Sequence, residues 1–464
     1  LLTSNDIDMT GGLYGSGGEI RFRGPADVLT SVEVRSGARI EALSSGSYVA
    51  LVAPRVVQAG TVQVNGSAAY VAAEAADITI NGGLFDISIS AGTTDANGVV
   101  HTGTTERPGA TVPDAQHVFM VAVPKNNALT MLLSGNVGYD AANSAVQTDS
   151  GVVLSAGYDV SAGAVGVRNA TATGEANIAI GSGTWQPDVN GQATGGITVQ
   201  PGVGAASFAA VTLPAERATT VQAGAGGTVS ASGNINLKAG EAVTLRADQG
   251  GSISVGGNLN LTAGMAGTGG KIDVLTYGGS ATAAGNGQIS VTGSMFLDAS
   301  ATGLGSANAP LLAGGDAIGG EINVIANGGS ISAANLSAYA DAIGGLGSDS
   351  SGNATGGSIT VSARTAAGPS AALAGTIGFG SMSLSASAEV PNDYYSPQPV
   401  AGGNARGGAI NVSAAGGSIT TGYIDLAADG AGGDATGAGG TGSGGSITLS
   451  ATALNGLRGS FAAD

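Results

Sequence analysis

The sequence predicts an all-β chain: a parallel β-helix with three strands per turn and glycine-rich loops inserted at one corner. Three observations carry that prediction. Glycine supplies 84 of the 464 residues, while 42% are hydrophobic and only 10% are charged. Disorder goes with low hydrophobicity and high charge, and collagen needs a G-X-Y period, so both are excluded. Next, residues 226–240 (GGTVSASGNINLKAG) return 24 residues later as 250–264 (GGSISVGGNLNLTAG). Last, Gly-Gly-x-Ile recurs at Gly269, Gly319, Gly356, Gly407 and Gly444, at spacings of 50, 37, 51 and 37. The larger unit therefore repeats every 87 or 88 residues. Glycine costs about 1 kcal/mol per helix position relative to Ala, which argues against helix.

Residues 1–225 form the less regular part. Tyr48-Val49-Ala50 returns as Tyr70-Val71-Ala72, 22 residues on, which is about one turn. The alternating runs Val62/Val64, Ile78/Ile80 and Ile87/Ile89, and the stretches 177–180 and 196–200, read as strands of the coil, since period two marks a half-buried strand. Near 91–125 the alternation is broken by Pro108, Pro113 and Pro124, so a loop region is expected there.

Residues 226–464 form the regular part, expected to continue beyond 464. Ile253/Val255 and Leu259/Leu261 alternate with Ser and Asn. After each Gly-Gly comes a strand (271–274, 321–324, 358–361, 409–412, 446–449), then a second run (such as 328–331 or 416–419) and a third (296–299, 336–340, 382–386, 424–427). The variable insert is expected always after the third strand, where insertions in successive turns stack on one face. The inserts share a signature: 315–320 (GDAIGG), 352–357 (GNATGG) and 403–408 (GNARGG). The Gly-Gly pair is expected to supply positive φ for re-entry, and the Asp or Asn to bond its own neighbouring backbone. Stacked turns lie about 4.8 Å apart, with Ile, Val and Leu inward and Ser, Thr and Asn outward.

The net charge of −17, with lysine only at Lys125, Lys238 and Lys271, excludes nucleic acid as a partner and disfavours an anionic membrane. With no cysteine, disulfides, thiolate metal sites and Cys nucleophiles are excluded.

The string Ser47-Tyr48-Val49-Ala50-Leu51-Val52-Ala53-Pro54-Arg55-Val56-Val57-Gln58-Ala59-Gly60-Thr61-Val62, with 72–82 (AAEAADITING), resembles the body of filamentous-haemagglutinin-like exoproteins. The Gly-Gly-x-Ile series resembles the repetitive shaft of such proteins. The resemblance implies a right-handed parallel β-helix and a segment of a large bacterial surface fibre and adhesin, exported by two-partner secretion. It implies an extracellular, cell-surface location and an outer-membrane pore as partner during export. Contact with host or neighbouring-cell surfaces or matrix glycans follows from it too. The family's secretion domain carries Asn-Pro-Asn motifs, and none occurs here, so that domain is expected upstream or absent. The glycine-rich inserts, notably 340–355 and 429–443, are candidates for lateral self-association, against the alternative of loose solvated loops.

Chemistry-bearing residues are few. His101 and His117, with Glu106 and Asp114 nearby, are the place to look for a metal or a general base, but they read best as surface loop histidines. Polysaccharide cleavage is the main enzymatic alternative, and polysaccharide binding goes with it. Glycosidases use two carboxylates. Asp273 and Glu321 follow Gly-Gly at different offsets, so they are expected to face opposite ways. The single Trp185 lies outside the repeat. Gly344-Gly345-Leu346-Gly347-Ser348-Asp349 matches the start of a calcium nonapeptide once, with Ser351 where a large apolar residue belongs. The sequence reading is of a chain that is not an enzyme, with no catalytic, cofactor or metal residues.

Overall fold

The structure is a computed structural model. It describes residues 1–463 except 9, 11–17, 82, 108–115, 140–149, 279–284, 306–310, 367–372 and 392–398. Pro108, Pro113 and Asp114 therefore lie outside the described residues. The chain is all-β, its strands in long parallel sheets of the kind a β-helix or solenoid makes. It divides into two compact units: Leu1–Arg217 with Val229–Gly233, and Ala218–Thr228 with Asn234–Asp464.

In the first unit, one parallel ladder runs through Ser31–Val34, Arg55–Gln58, Val99–His101, Leu129–Leu133, Ala176–Ile180 and Ile197–Val199. A second contains Arg39–Ala53, Thr61–Ala72, Gln116–Ala122, Ser150–Ala156, Gly183–Ala193 and Ala205–Ala215. The Tyr48/Tyr70 repeat is not the register. Arg39 pairs with Thr61, but beyond a bulge Tyr48 pairs with Ser67 and Leu51 with Tyr70. The irregular stretch after Ala42 absorbs the difference.

Two of the runs read as coil strands are something else. Ala75–Asn81 and Leu84–Ala91 pair antiparallel, and with Glu19–Arg23, Asp6–Ile7, Tyr158–Ser161 and Ala164–Arg168 they make a separate six-stranded sheet. Phe22, Phe85, Ile87 and Ile89 of this sheet share a core with Ala50, Val52, Ala69, Val71, Phe119, Val121 and Val153 of the parallel strands. Those strands are thus buried on both faces, and they read as unbroken apolar runs rather than alternating ones.

In the second unit the repeat spacings become the register. Ile235 pairs with Leu259 and Ala218 with Ala242. Ile272, Ile322, Ile359, Ile410 and Ile447 then stack in one column, through the strands Lys271–Tyr277, Glu321–Asn327, Ser358–Arg364, Ala409–Ala415 and Ser446–Thr452. The chain then joins the other sheet through Gln288–Val291 with Ser294–Asp298, Ser330–Tyr339, Thr376–Ser385 and Ser418–Ala427.

The inserts depart from expectation in two ways. They are not confined to the segment after the third strand. Three passes also carry one between the first strand and the next, after Tyr277, Arg364 and Thr452, where the intervening passes make only the turns Gly328-Gly329 and Gly416-Gly417. Gly328 and Gly416 hold φ near +70°, where glycine is the natural choice.

Nor are the described parts of the later inserts loose. Thr268–Gly269, Ala317–Ile318, Ala354–Thr355, Ala405–Arg406 and Gly442–Ser443 form one parallel ladder. Ala301–Thr302, Ala342–Ile343, Ala388–Glu389 and Gly430–Ala431 form another. Between them lies a small core of Ala301, Ala317, Ala342, Ala354, Ala388, Val390 and Ala405.

Each pass is therefore pinched between a large Ile/Val/Leu core and this alanine core. At the pinch the second glycine of each pair donates its N–H across the waist: Gly320 to Ala299 O at 2.8 Å, and Gly357, Gly408 and Gly445 to Ala340, Ala386 and Ala428 O at 2.7 Å. None of these paired glycines has positive φ, contrary to expectation. They are glycine because the neighbouring backbone leaves no room. A Cβ on Gly319, Gly356 or Gly407 would sit 2.1 Å from the carbonyl oxygen of Ala340, Ala386 or Ala428.

Candidate functional site

The polar residues singled out from sequence fall at separate places. His101 is not a surface residue: it is fully buried in the first unit. Strand alternation turns it inward, in register with Gln58 on one side and Leu133 on the other. Its Nδ1 lies 2.7 Å from Ser134 O and its Nε2 2.9 Å from Thr105 Oγ1. A carbonyl only accepts, so Nδ1 carries the proton and Nε2 accepts from the Thr105 hydroxyl. The Thr105 oxygen in turn accepts from Tyr70 OH at 2.7 Å. The Tyr70 and Trp185 rings pack against the imidazole at 5.9 and 6.4 Å between centroids. Burial pulls the His101 pKa down to about 4, partly opposed by the bond to Ser134. Trp185 is also part of the ladder, paired with Val137 and Phe208.

His117 is half-buried and stacks on Phe119, and Glu106 accepts from Gln63 Nε2. Among the described residues no group of three or more His, Asp or Glu side chains is placed to hold a metal ion. Sequence reading missed a buried ion pair in the same unit. Lys125 Nζ lies 2.7 Å from Glu74 Oε2 and 3.0 Å from Asp27 Oδ1, and the Glu74 side chain is only 3% exposed. These two carboxylates raise the Lys125 pKa. An unpaired carboxylate is rarely buried, so a Glu inside the run Ala72-Ala73-Glu74-Ala75-Ala76 was a legible signal.

In the second unit Asp273 and Glu321 share a face rather than opposing one another. Their offsets from Gly-Gly differ by an even number, so alternation turns both outward. Lys271 pairs with Glu321 in the ladder, and its Nζ lies 3.3 Å from Asp273 and 3.7 Å from Glu321. Asn323 Nδ2 donates to both carboxylates. The pair is thus engaged in an ion-pair network between passes. The calcium-like stretch lies at the tip of the alanine lobe, where Gly347–Ser350 pairs with Leu311–Ala313 and Ser351 is buried.

The Asp and Asn of the insert signature do not bond their own neighbours. Asp316 Oδ1 accepts the Asn353 backbone N–H at 2.7 Å. Asn353 Oδ1 accepts that of Asn404 at 3.0 Å, and Asn404 Oδ1 that of Thr441 at 2.9 Å. The side chains form a ladder from pass to pass. Beside the waist runs a groove of about 830 Å³. Its floor is the paired glycines, one wall is Lys271, Glu321, Ser358, Ala409 and Ser446, and the other includes Thr268, Ile318, Thr355 and Arg406.

No protein-family model, curated protein or solved structure matches the chain.

Proposed function

We propose that the chain is a structural segment of a large secreted bacterial surface fibre that mediates adhesion or contact with cells or matrix. In this reading it is exported through an outer-membrane pore and displayed outside the cell. Its stacked passes wind as a right-handed coil with three strands to the turn. The observation that supports it best is the parallel bonding of each pass in the second unit to the next, along the main strands and along the described strands of the alanine lobe. A pass tied this way shares an axial load among many parallel hydrogen bonds and leaves few frayed loops for a protease.

Single-molecule pulling from the two ends tests the load-bearing part. Passes of 37 to 51 residues should release in steps of about 130–180 Å, at about 3.5 Å per extended residue. Release of the whole chain in one event refutes it. Beads coated with the chain should also hold to cell or matrix surfaces above bare beads, and equal retention removes the adhesive role. A second reading, polysaccharide binding, is favoured by the hydroxyl- and charge-walled groove along the waist. Under that reading a soluble glycan competes the beads off, whereas contact through protein surfaces is indifferent to it.

A further inference from the structure

Both histidines of the chain lie in the first unit, and the second unit, Ala218–Thr228 with Asn234–Asp464, contains none. His101 is built into the interior with each ring nitrogen already committed, Nδ1 to Ser134 O and Nε2 to Thr105 Oγ1. A second proton on Nε2 turns that nitrogen from acceptor to donor. Thr105 must then accept from the ring and donate to Tyr70, so the Tyr70 hydroxyl can no longer donate to it. Adding charge in this place also costs desolvation, with no counter-charge among the described groups that meet the ring.

The described groups that meet the ring are Tyr70 from Thr61–Ala72, Thr105 from Thr104–Arg107, the Ser134 carbonyl, and Trp185 from Gly183–Ala193. Gln58 and Leu133 lie beside it in the ladder. Of these only the Tyr70 phenol titrates, and a phenol stays neutral in acid. Glu106, next to Thr105, is turned away toward Gln63, and His117 packs on Phe119 instead.

We propose that His101 is an acid release: its protonation opens the first unit around Trp185 while leaving the second unit folded. The direction follows from linkage. A histidine held neutral in the folded chain contributes its stability above the ordinary value of 6.5, and loses it as the pH falls toward about 4. Over that window the ratio of closed to open first unit should fall about 300-fold, tenfold for each pH unit.

Trp185, the only tryptophan, reports the event without labelling. With acidification its emission should move toward that of exposed indole. Amide exchange across the first unit, corrected for intrinsic rates, should accelerate far more than in the second. His101→Gln should abolish the acid response, and His117→Gln should retain it. An unchanged acid response in His101→Gln overturns the proposal, as does equal acceleration in both units. Should His101→Gln fail to fold, the wild-type ring decides by its NMR titration. Protonation that coincides with the Trp185 change supports the release, and protonation near 6.5 with Trp185 still buried overturns it.

Discussion

Gly357→Ala separates two explanations of the glycine content that predict opposite signs. Gly357 has no positive φ. Propensity alone therefore expects Ala to stabilise by about 0.4–1 kcal/mol, because the unfolded chain loses freedom. Packing expects the reverse. A Cβ at Gly357 would stand 2.0 Å from Gly320 O, so the two passes must separate by about 1 Å at a ladder spacing of about 4.8 Å. Three bonds meet at this point: Gly357 N–H to Ala340 O at 2.7 Å, Ser358 N–H to Gly320 O at 2.9 Å and Ala409 N–H to Gly357 O at 2.9 Å. Breaking two of them and leaving buried partners unsatisfied costs about 4 kcal/mol. Hydrogen exchange at the Ser358 and Ala409 amides should then accelerate by about a thousandfold. Gly378→Ala is the matched control. A Cβ there meets nothing within 4 Å, and exchange nearby should slow slightly. If Ser358 and Ala409 exchange no faster in Gly357→Ala than in the control, close backbone approach is not what requires glycine at the waist.

Two further predictions concern polar contacts. Lys125→Met strands the buried Glu74 carboxylate and should cost about 3 kcal/mol at neutral pH, read as a lower denaturation midpoint by Trp185 emission. Because the Lys125 pKa is raised, this contribution is complete below the ordinary 10.5 and fades as the pH climbs past it. An unchanged midpoint at pH 7 contradicts it. Asn404→Ala removes the acceptor of both the Thr441 N–H and its hydroxyl. It should raise exchange at Thr441 about fivefold, matching a loss of about 1 kcal/mol, with the Ala247 amide unaffected.

What was legible in the sequence was the part set by short-range alternation. The Ile272-to-Ile447 column follows from spacing alone, because a slipped register would turn the whole apolar set outward. The antiparallel sheet was not read, since Ile78/Ile80 and Ile87/Ile89 alternate just as coil strands do. The missed signal was in their partners: 48–53 (YVALVA) and 118–123 (VFMVAV) do not alternate, and an unbroken apolar strand needs cover on both faces. His101 was misjudged for a related reason. Its neighbourhood was read from the nearby prolines, although Val99–His101 is a strand whose parity puts both its ends inside. The alanine lobe escaped notice because Ala and Gly carry little hydrophobic signal per residue, and only repetition over several passes makes a core of them.

The 87- or 88-residue period has a steric origin in the two kinds of insert. A segment present in every pass has about 4.8 Å of height available. It can occupy that height only as a ladder in register with its neighbours, with side chains small enough to let backbones touch. The alanine lobe meets both conditions, as glycine at Gly357 and Gly408 requires. A segment that folds back on itself needs about twice that height, close to the ~10 Å spacing of packed sheets. Two of the inserts after the first strand are of this second kind: Ala366 bridges Leu373 and Leu454 bridges Leu457, both antiparallel. The necks of all three inserts close with one shared bond, from Gly287, Gly375 and Gly459 N–H to Tyr277, Arg364 and Thr452 O. They occur only in alternate passes, and the passes between are trimmed to the Gly328-Gly329 and Gly416-Gly417 turns. Long and short passes alternate as 50, 37, 51 and 37 residues, and the insert after the first strand, which takes the height of two passes, supplies most of the difference.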